Sequence, residues 1–172
     1  MTLLDTQQIS VGDTLPPLVL DATPTFVVST ALATRDFQDV HHDRDLAQQK
    51  GSKDIFVNIL TDTGLVERFV TDWAGPSARI ASISLKLGVP WYAYDTLTFT
   101  GEVVGVSTGS SAGAPESLNR QETRPAPPIE RAEAALQTER AQRVEITVAV
   151  TGTNSLGKHV ISTVTFTKEV AA

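Results

Sequence analysis

No cysteine occurs anywhere in the 172 residues. That excludes disulfides, thiolate zinc sites, iron–sulfur clusters and thiol catalysis, and it is compatible with a reducing cytoplasm. Basic residues are scarce as well: 14 Lys and Arg stand against 20 Asp and Glu, a formal charge of −6. A nucleic-acid binder would carry a basic face and a membrane-surface protein a basic amphipathic run, and the chain shows neither. Long apolar runs are also missing, since none approaches the roughly eighteen residues of a membrane-spanning helix. The start, MTLLDTQQISVGD, has no positive n-region and no long apolar h-region, so no signal peptide is expected. These absences point to an acidic, cytoplasmic protein with no nucleic-acid or membrane partner. Its length suits one domain, residues 1–172.

What is present alternates between strand and helix signals. TLPPLVLDATPT, with Pro16, Pro17 and Pro24, favours extended structure and turns. FVVSTALAT (26–34) is rich in β-branched residues and reads as a strand. DRDLAQQKG reads as a short helix stopped by Gly51. From Val57 to Trp73 the apolar residues fall on helical spacing. Phe56, Leu60, Leu65 and Phe69 widen the stripe, which predicts a helix of about 25 Å lying inside the fold and stopped at Gly75–Pro76. Four strands are expected after it, at 78–89, 95–106, 143–153 and 158–170, the last two joined by a hairpin turn at NSLG (154–157). Residues 107–142 are Ser-, Gly- and Pro-rich and then weakly helical, and they read as a flexible surface insertion. A central helix with a run of antiparallel strands suggests an α+β layout, a curved sheet wrapped around that helix, known as the hotdog fold.

The densest chemistry lies in ATRDFQDVHHDRD (33–45), with four Asp, two His and two Arg in thirteen positions. Three readings compete. As a solvated loop its charges would pair loosely and contribute little. As a metal site it would use Asp36, Asp39, Asp43, His41 and His42, but adjacent histidines point apart and no HxxxH or HExxH spacing exists, so no metal is expected. As an acid–base centre it would pair Asp36 with His41. Five residues on a helix would set these side chains about 140° apart, so the pair needs an irregular turn between them. Spacing alone leaves the solvated loop and the acid–base pair open.

The stretch Thr34-Arg35-Asp36-Phe37-Gln38-Asp39-Val40-His41 resembles the Ser-Gly-Asp-x-Asn-Pro-x-His motif of the MaoC-like, hydratase-2 type enoyl-CoA hydratases. Asp36 and His41 match the two chemically active positions. Arg35, Gln38 and Asp39 replace the Gly, Asn and Pro, so other contacts must hold the turn. Three longer stretches look like the small catalytic subunits of actinobacterial steroid side-chain enoyl-CoA hydratases: STALATRDFQDVHHDRD, GSKDIFVNILTDTGLVERFVTDWAGP and LGVPWYAYDTLTFTGEV. That likeness runs over about residues 24–104 and resumes in VTGTNSLGKHV, while 107–142 has no counterpart in it.

The resemblance implies addition of water to a trans-2-enoyl-CoA, giving a 3-hydroxyacyl-CoA. Asp36 and His41 would bind and activate the water as one coupled unit. Val57–Asn58 aligns with the family's His-Gly at the start of the central helix, so the Asn58 backbone N–H is a candidate oxyanion donor. Asn58 is equally readable as a polar residue at a helix start. Trp91 and Tyr92, with Tyr94, are candidates for lining a substrate channel or for packing a turn. His42 reads as solvent-facing, His159 as structural and Arg35 as one half of a surface salt bridge. The acyl-CoA is the substrate, and no cofactor is implied. A second MaoC-like hotdog subunit is the implied partner, as a heterodimer or heterotetramer. A hotdog thioesterase, or a non-catalytic subunit that completes a partner's site, are the competing functions.

Overall fold

The computed structural model describes residues 9–109 and 142–170, including side chains except at positions 109, 142 and 170. Five strands form one antiparallel sheet in the order β1-β3-β4-β5-β2. They are β1 (Thr14–Asp21), β2 (Arg79–Leu87), β3 (Thr96–Gly109), β4 (Gln142–Asn154) and β5 (Gly157–Val170). Three helices lie between β1 and β2: α1 (Pro24–Ala33), α2 (Arg44–Gln49) and α3 (Ile59–Ala74). The sheet buries one face over α3, with Phe99, Val103, Ile146, Val148, Val164 and Phe166 fully enclosed. Phe69 of α3 stacks on Phe99 at 5.8 Å. This is the hotdog architecture that the helix-and-strand order suggests.

The expected strand at 26–34 is a helix, α1. Thr23 caps it, its hydroxyl accepting the Phe26 N–H at 3.1 Å, and Pro24 occupies the first helical position where a missing N–H costs nothing. The β-branched residues adapt to the helix: Thr30 and Thr34 each donate a hydroxyl to the carbonyl four residues back, and Val27 and Ala31, one turn apart, are both buried. The cap and the proline outweigh a weak local preference for strand.

The central helix also differs from expectation. Its buried stripe is Thr61, Asp62, Leu65, Val66, Phe69, Val70 and Ala74, while Ile59 and Leu60 are half exposed. It is an amphipathic helix packed on one face, not one enclosed on all sides. Gly75, at φ 87°, ends it as the sequence indicates.

The remaining elements lie close to their expected bounds. Gly51, also at positive φ, follows α2. Asn154 pairs with Gly157 across the tight β4–β5 turn. β1 is an edge strand, and its register shifts between Leu15 and Leu18, where Pro16 and Pro17 have no N–H to offer. The expected insertion is shorter than 107–142 at both ends: Ser107, Thr108 and Gly109 pair with β4, and Gln142 pairs with β5. The rest of it lies outside the described residues. No helix among the described residues is long and apolar enough to cross a membrane.

Candidate active site

α1 ends at Ala33, and Arg35 then adopts φ 59°, in the left-handed region. This is the position where the hydratase motif carries glycine, and the conformation explains why. The reversal aims Asp36 back toward the fold. The missing proline is replaced by side-chain contacts. Asp36 Oδ1 accepts the Gln38 N–H at 3.3 Å, and Lys50 Nζ holds Asp39 Oδ2 at 2.6 Å. A single turn of 3₁₀ helix, Asp39–His41, then brings His41 over Asp36. The irregular turn that the five-residue spacing requires is therefore built.

His41 Nε2 lies 3.4 Å from Asp36 Oδ2. The other ring nitrogen, Nδ1, is 2.8 Å from the Phe56 carbonyl oxygen, which can only accept a hydrogen bond. Nδ1 therefore carries a hydrogen, and in the neutral imidazole Nε2 keeps its lone pair toward Asp36. Phe56 also meets the ring edge-on at 4.8 Å, so the imidazole is fixed from two sides.

Asn58 completes the arrangement and uses both ends of its amide. Oδ1 accepts the Thr61 N–H at 3.0 Å and caps α3, while Nδ2 donates to Asp36 Oδ2 at 3.0 Å and to Thr34 Oγ1 at 2.9 Å. Burial works to raise the Asp36 carboxyl. It is outweighed by the Asn58 amide, the Gln38 N–H and the nearby His41 and His42, which together hold the carboxyl below its ordinary value. Asp36 is thus an ionised acceptor beside the imidazole, and a water would reach both groups from one side of the pair rather than from between them. No hydrogen bond among the described residues uses the Asn58 backbone N–H. It sits at the positive end of α3.

His41 and Asn58 open onto a cleft of about 340 Å³ whose walls include Phe56, Ile59, Val89 and His159. Among the described residues no group of three or more His, Cys, Asp or Glu is placed to hold a metal ion.

No protein-family model matches the chain. The 3-oxo-4,17-pregnadiene-20-carboxyl-CoA hydratase beta subunit of Mycobacterium tuberculosis is 56% identical over 154 residues, 90% of this chain and 92% of that one. The chain belongs to this hydratase beta-subunit family. The crystal structure of the ChsH1-ChsH2 complex from the same organism matches with a TM-score of 0.69 at 54% identity, covering 92% of this chain and 98% of that one. An (R)-hydratase from A. caviae involved in PHA biosynthesis matches at 15% identity with a TM-score of 0.67, over 94% of this chain and 98% of that one. A MaoC-like dehydratase from Rhodospirillum rubrum matches at 15% identity with a TM-score of 0.69, over 98% of this chain and 99% of that one. The last two share the fold.

Within this hydratase-family chain, the other candidates fall in different places. Trp91 is fully buried, packs on Phe26 and donates its indole N–H to the Asp95 carbonyl. It belongs to the core rather than to a channel wall, because the β2–β3 connection folds inward at that residue. Tyr92 meets Phe56 edge-on at 6.2 Å and lines a separate concavity with Lys53 and Tyr94, away from the cleft. His42 is exposed, as expected. Arg35 is exposed too, and forms no ion pair among the described residues; what it contributes is its backbone conformation.

His159 is the larger surprise. It is buried, its Nε2 lies 3.1 Å from Asp62 Oδ2, and it contributes to the cleft wall. Ninety-seven residues separate the two, so no local spacing could pair them. One signal was available: Asp62 is the lone carboxylate on the buried, mostly apolar stripe of α3, a position that demands a partner.

Proposed function

We propose that this chain is the catalytic subunit of an enoyl-CoA hydratase acting on a steroid side-chain thioester. The observation that carries the reading is the placement of His41 Nε2 3.4 Å from Asp36 Oδ2, with the other imidazole nitrogen already committed to Phe56. The pair holds a water by its two hydrogens, leaving an oxygen lone pair free to attack C3 of the trans-2-enoyl thioester. One water proton passes to the pair as the C3–O bond forms, and the C2–C3 π electrons move onto the thioester oxygen. The Asn58 backbone N–H stabilises that enolate-like oxygen. A proton then returns from the pair to C2, giving the 3-hydroxyacyl-CoA. The thioester itself activates the double bond, so the reaction needs no cofactor and no metal.

The substrate follows the related beta subunit, which is named for a pregnadiene carboxyl-CoA. The partner follows the ChsH1-ChsH2 complex: a second MaoC-like hotdog subunit, in a heterodimer or heterotetramer. Exposed apolar side chains support this. Phe37 is 65% exposed, Ile59 50% and Leu60 51%, and all three lie beside the site residues in the chain. The cytoplasm suits a chain with no cysteine that uses a CoA thioester.

The test is hydration of a steroid enoyl-CoA by this chain with and without its co-expressed partner. Asp36→Asn and His41→Ala are each expected to lower kcat by about 10²- to 10⁴-fold in the assembled protein. Folded, assembled variants that kept full activity would move the chemistry to the partner subunit.

A further inference from the structure

The second carboxylate–imidazole pair has no part in the chemistry above, yet it closes a circuit of bonds around Asn58. Asp62 lies one turn into α3 and its N–H donates to the Asn58 carbonyl at 3.1 Å. Its carboxylate meets His159 Nε2 at 3.1 Å. His159 Nδ1 in turn meets the Val89 carbonyl at 2.6 Å, and the His159 backbone carbonyl accepts the Gly88 N–H at 2.8 Å. Gly88 can approach this closely only because it has no side chain; a Cβ there would run into the Lys158 carbonyl oxygen. Three residues after Gly88, the Trp91 carbonyl accepts the Val57 N–H at 3.0 Å, which returns the circuit to the residue before Asn58. Trp91 also packs on the His159 ring at 6.0 Å.

We propose that His159, held by Asp62, is a positioning residue of the hydration site, clamping the first turn of α3 to the Gly88–Val89 wall so that the Asn58 amide keeps its aim across the cleft. This rests on the hydratase reading. The clamp closes around one shared proton. Val89 offers only a carbonyl, so Nδ1 is protonated, and one further proton lies between Nε2 and Oδ2. Asp62 Oδ1 has no hydrogen-bond partner among the described residues, so the bond to His159 is the carboxylate's main support. The titratable groups acting on the pair are its own two members and His41. Burial raises the Asp62 carboxyl. Burial would lower His159, but Asp62 and the Val89 carbonyl outweigh it, and the proton is retained beyond the ordinary imidazole range. A misaimed donor costs rate more than it costs binding.

The experiment compares His159→Gln with wild type and Asp36→Asn in the co-expressed complex, measuring kcat, KM and their pH profiles. A ¹⁵N NMR spectrum of the wild-type imidazoles and of the Asn58 amide in both proteins accompanies it. Glutamine keeps much of the bulk and cannot hold the proton. The expected result is a kcat lower by about 10- to 100-fold with KM within about threefold, and loss of the wild-type alkaline limb. Folded His159→Gln with wild-type kcat, beside an inactive Asp36→Asn, overturns the clamp and leaves the hydratase reading standing. If the wild type itself hydrates nothing, that reading fails, and the spectra decide the clamp. A His159 ring protonated at Nδ1 at neutral pH, with an Asn58 backbone amide shifted in His159→Gln, supports it; a ring without a hydrogen on Nδ1, or an unmoved amide, overturns it.

Discussion

Asp36–His41 and Asp62–His159 are built from the same two residue types, and in both the imidazole Nδ1 faces a backbone carbonyl, of Phe56 at 2.8 Å and of Val89 at 2.6 Å. They differ in what supports the carboxylate. Asp36 receives the Asn58 side-chain amide and the Gln38 N–H, and stays ionised on their account. Asp62 is fully buried, has His159 as its one side-chain partner among the described residues, and is raised by that burial above an ordinary carboxyl. One pair is open to exchange protons with water and the other is closed around one. Neighbouring donors, not residue identity, decide which.

The sharpest way to break that contrast is Asp62→Ala. Removing one member of a buried pair strands the other, and the expected loss is about 3 kcal/mol of unfolding free energy, read from urea melts. Its pH dependence carries a sign. Both members of the buried pair titrate above their ordinary values, 3.8 for Asp62 and 6.5 for His159, so their contribution is complete at low pH. It is lost as pH rises through the folded value. Asp36 runs the other way: held below 3.8, it adds stability above that pH and loses it as pH falls through its lower folded value. Wild type should weaken on the alkaline side, and Asp62→Ala should not.

A smaller effect separates the two jobs of Asn58. Asn58→Ala removes the helix cap and the Asp36 donor together, at a cost of about 1 kcal/mol for the cap. Asn58→Ser keeps a capping oxygen but is too short to serve Asp36 as well. Both variants should move the acid limb of the pH–rate profile upward, and only the alanine should lower Tm appreciably. An unmoved acid limb in both would show that Asn58 does not set the Asp36 carboxyl. The smallest effect is at Arg35. Arg35→Gly relieves a left-handed backbone and should raise stability by at most about 1 kcal/mol in the same urea melts. A loss instead would mean that the side chain itself holds the turn.

Much of this was legible in the residues, and the pattern of what was not is physical. α2, α3 and the long strands β3, β4 and β5 announce themselves by apolar period and by Gly51, Gly75 and the NSLG turn. Asp36 and His41 could be paired only through the resemblance to the hydratase motif, because their spacing alone fits a solvated loop as well. The helix at 24–33 was hidden because β-branched Val27, Val28 and Thr30 speak for strand, while Thr23–Pro24, the cap and first-turn signal, reads as a loop when the strand is assumed. Trp91 stayed open between channel wall and packed turn because an aromatic beside a proline looks the same in both. Asp62–His159 joins α3 to β5, and a contact of that span belongs to the tertiary fold.

Pro16 and Pro17 carry a further consequence. Among the described residues the sheet has two borders, β1 and β2. On β1 the two prolines and the register shift remove the regular row of N–H groups on which a stray strand would grow. On β2, exposed Arg79 and Lys86 place charge along the border. Both ends of the sheet thus resist templated aggregation, which protects a newly made chain while its apolar surface near the cleft is still uncovered.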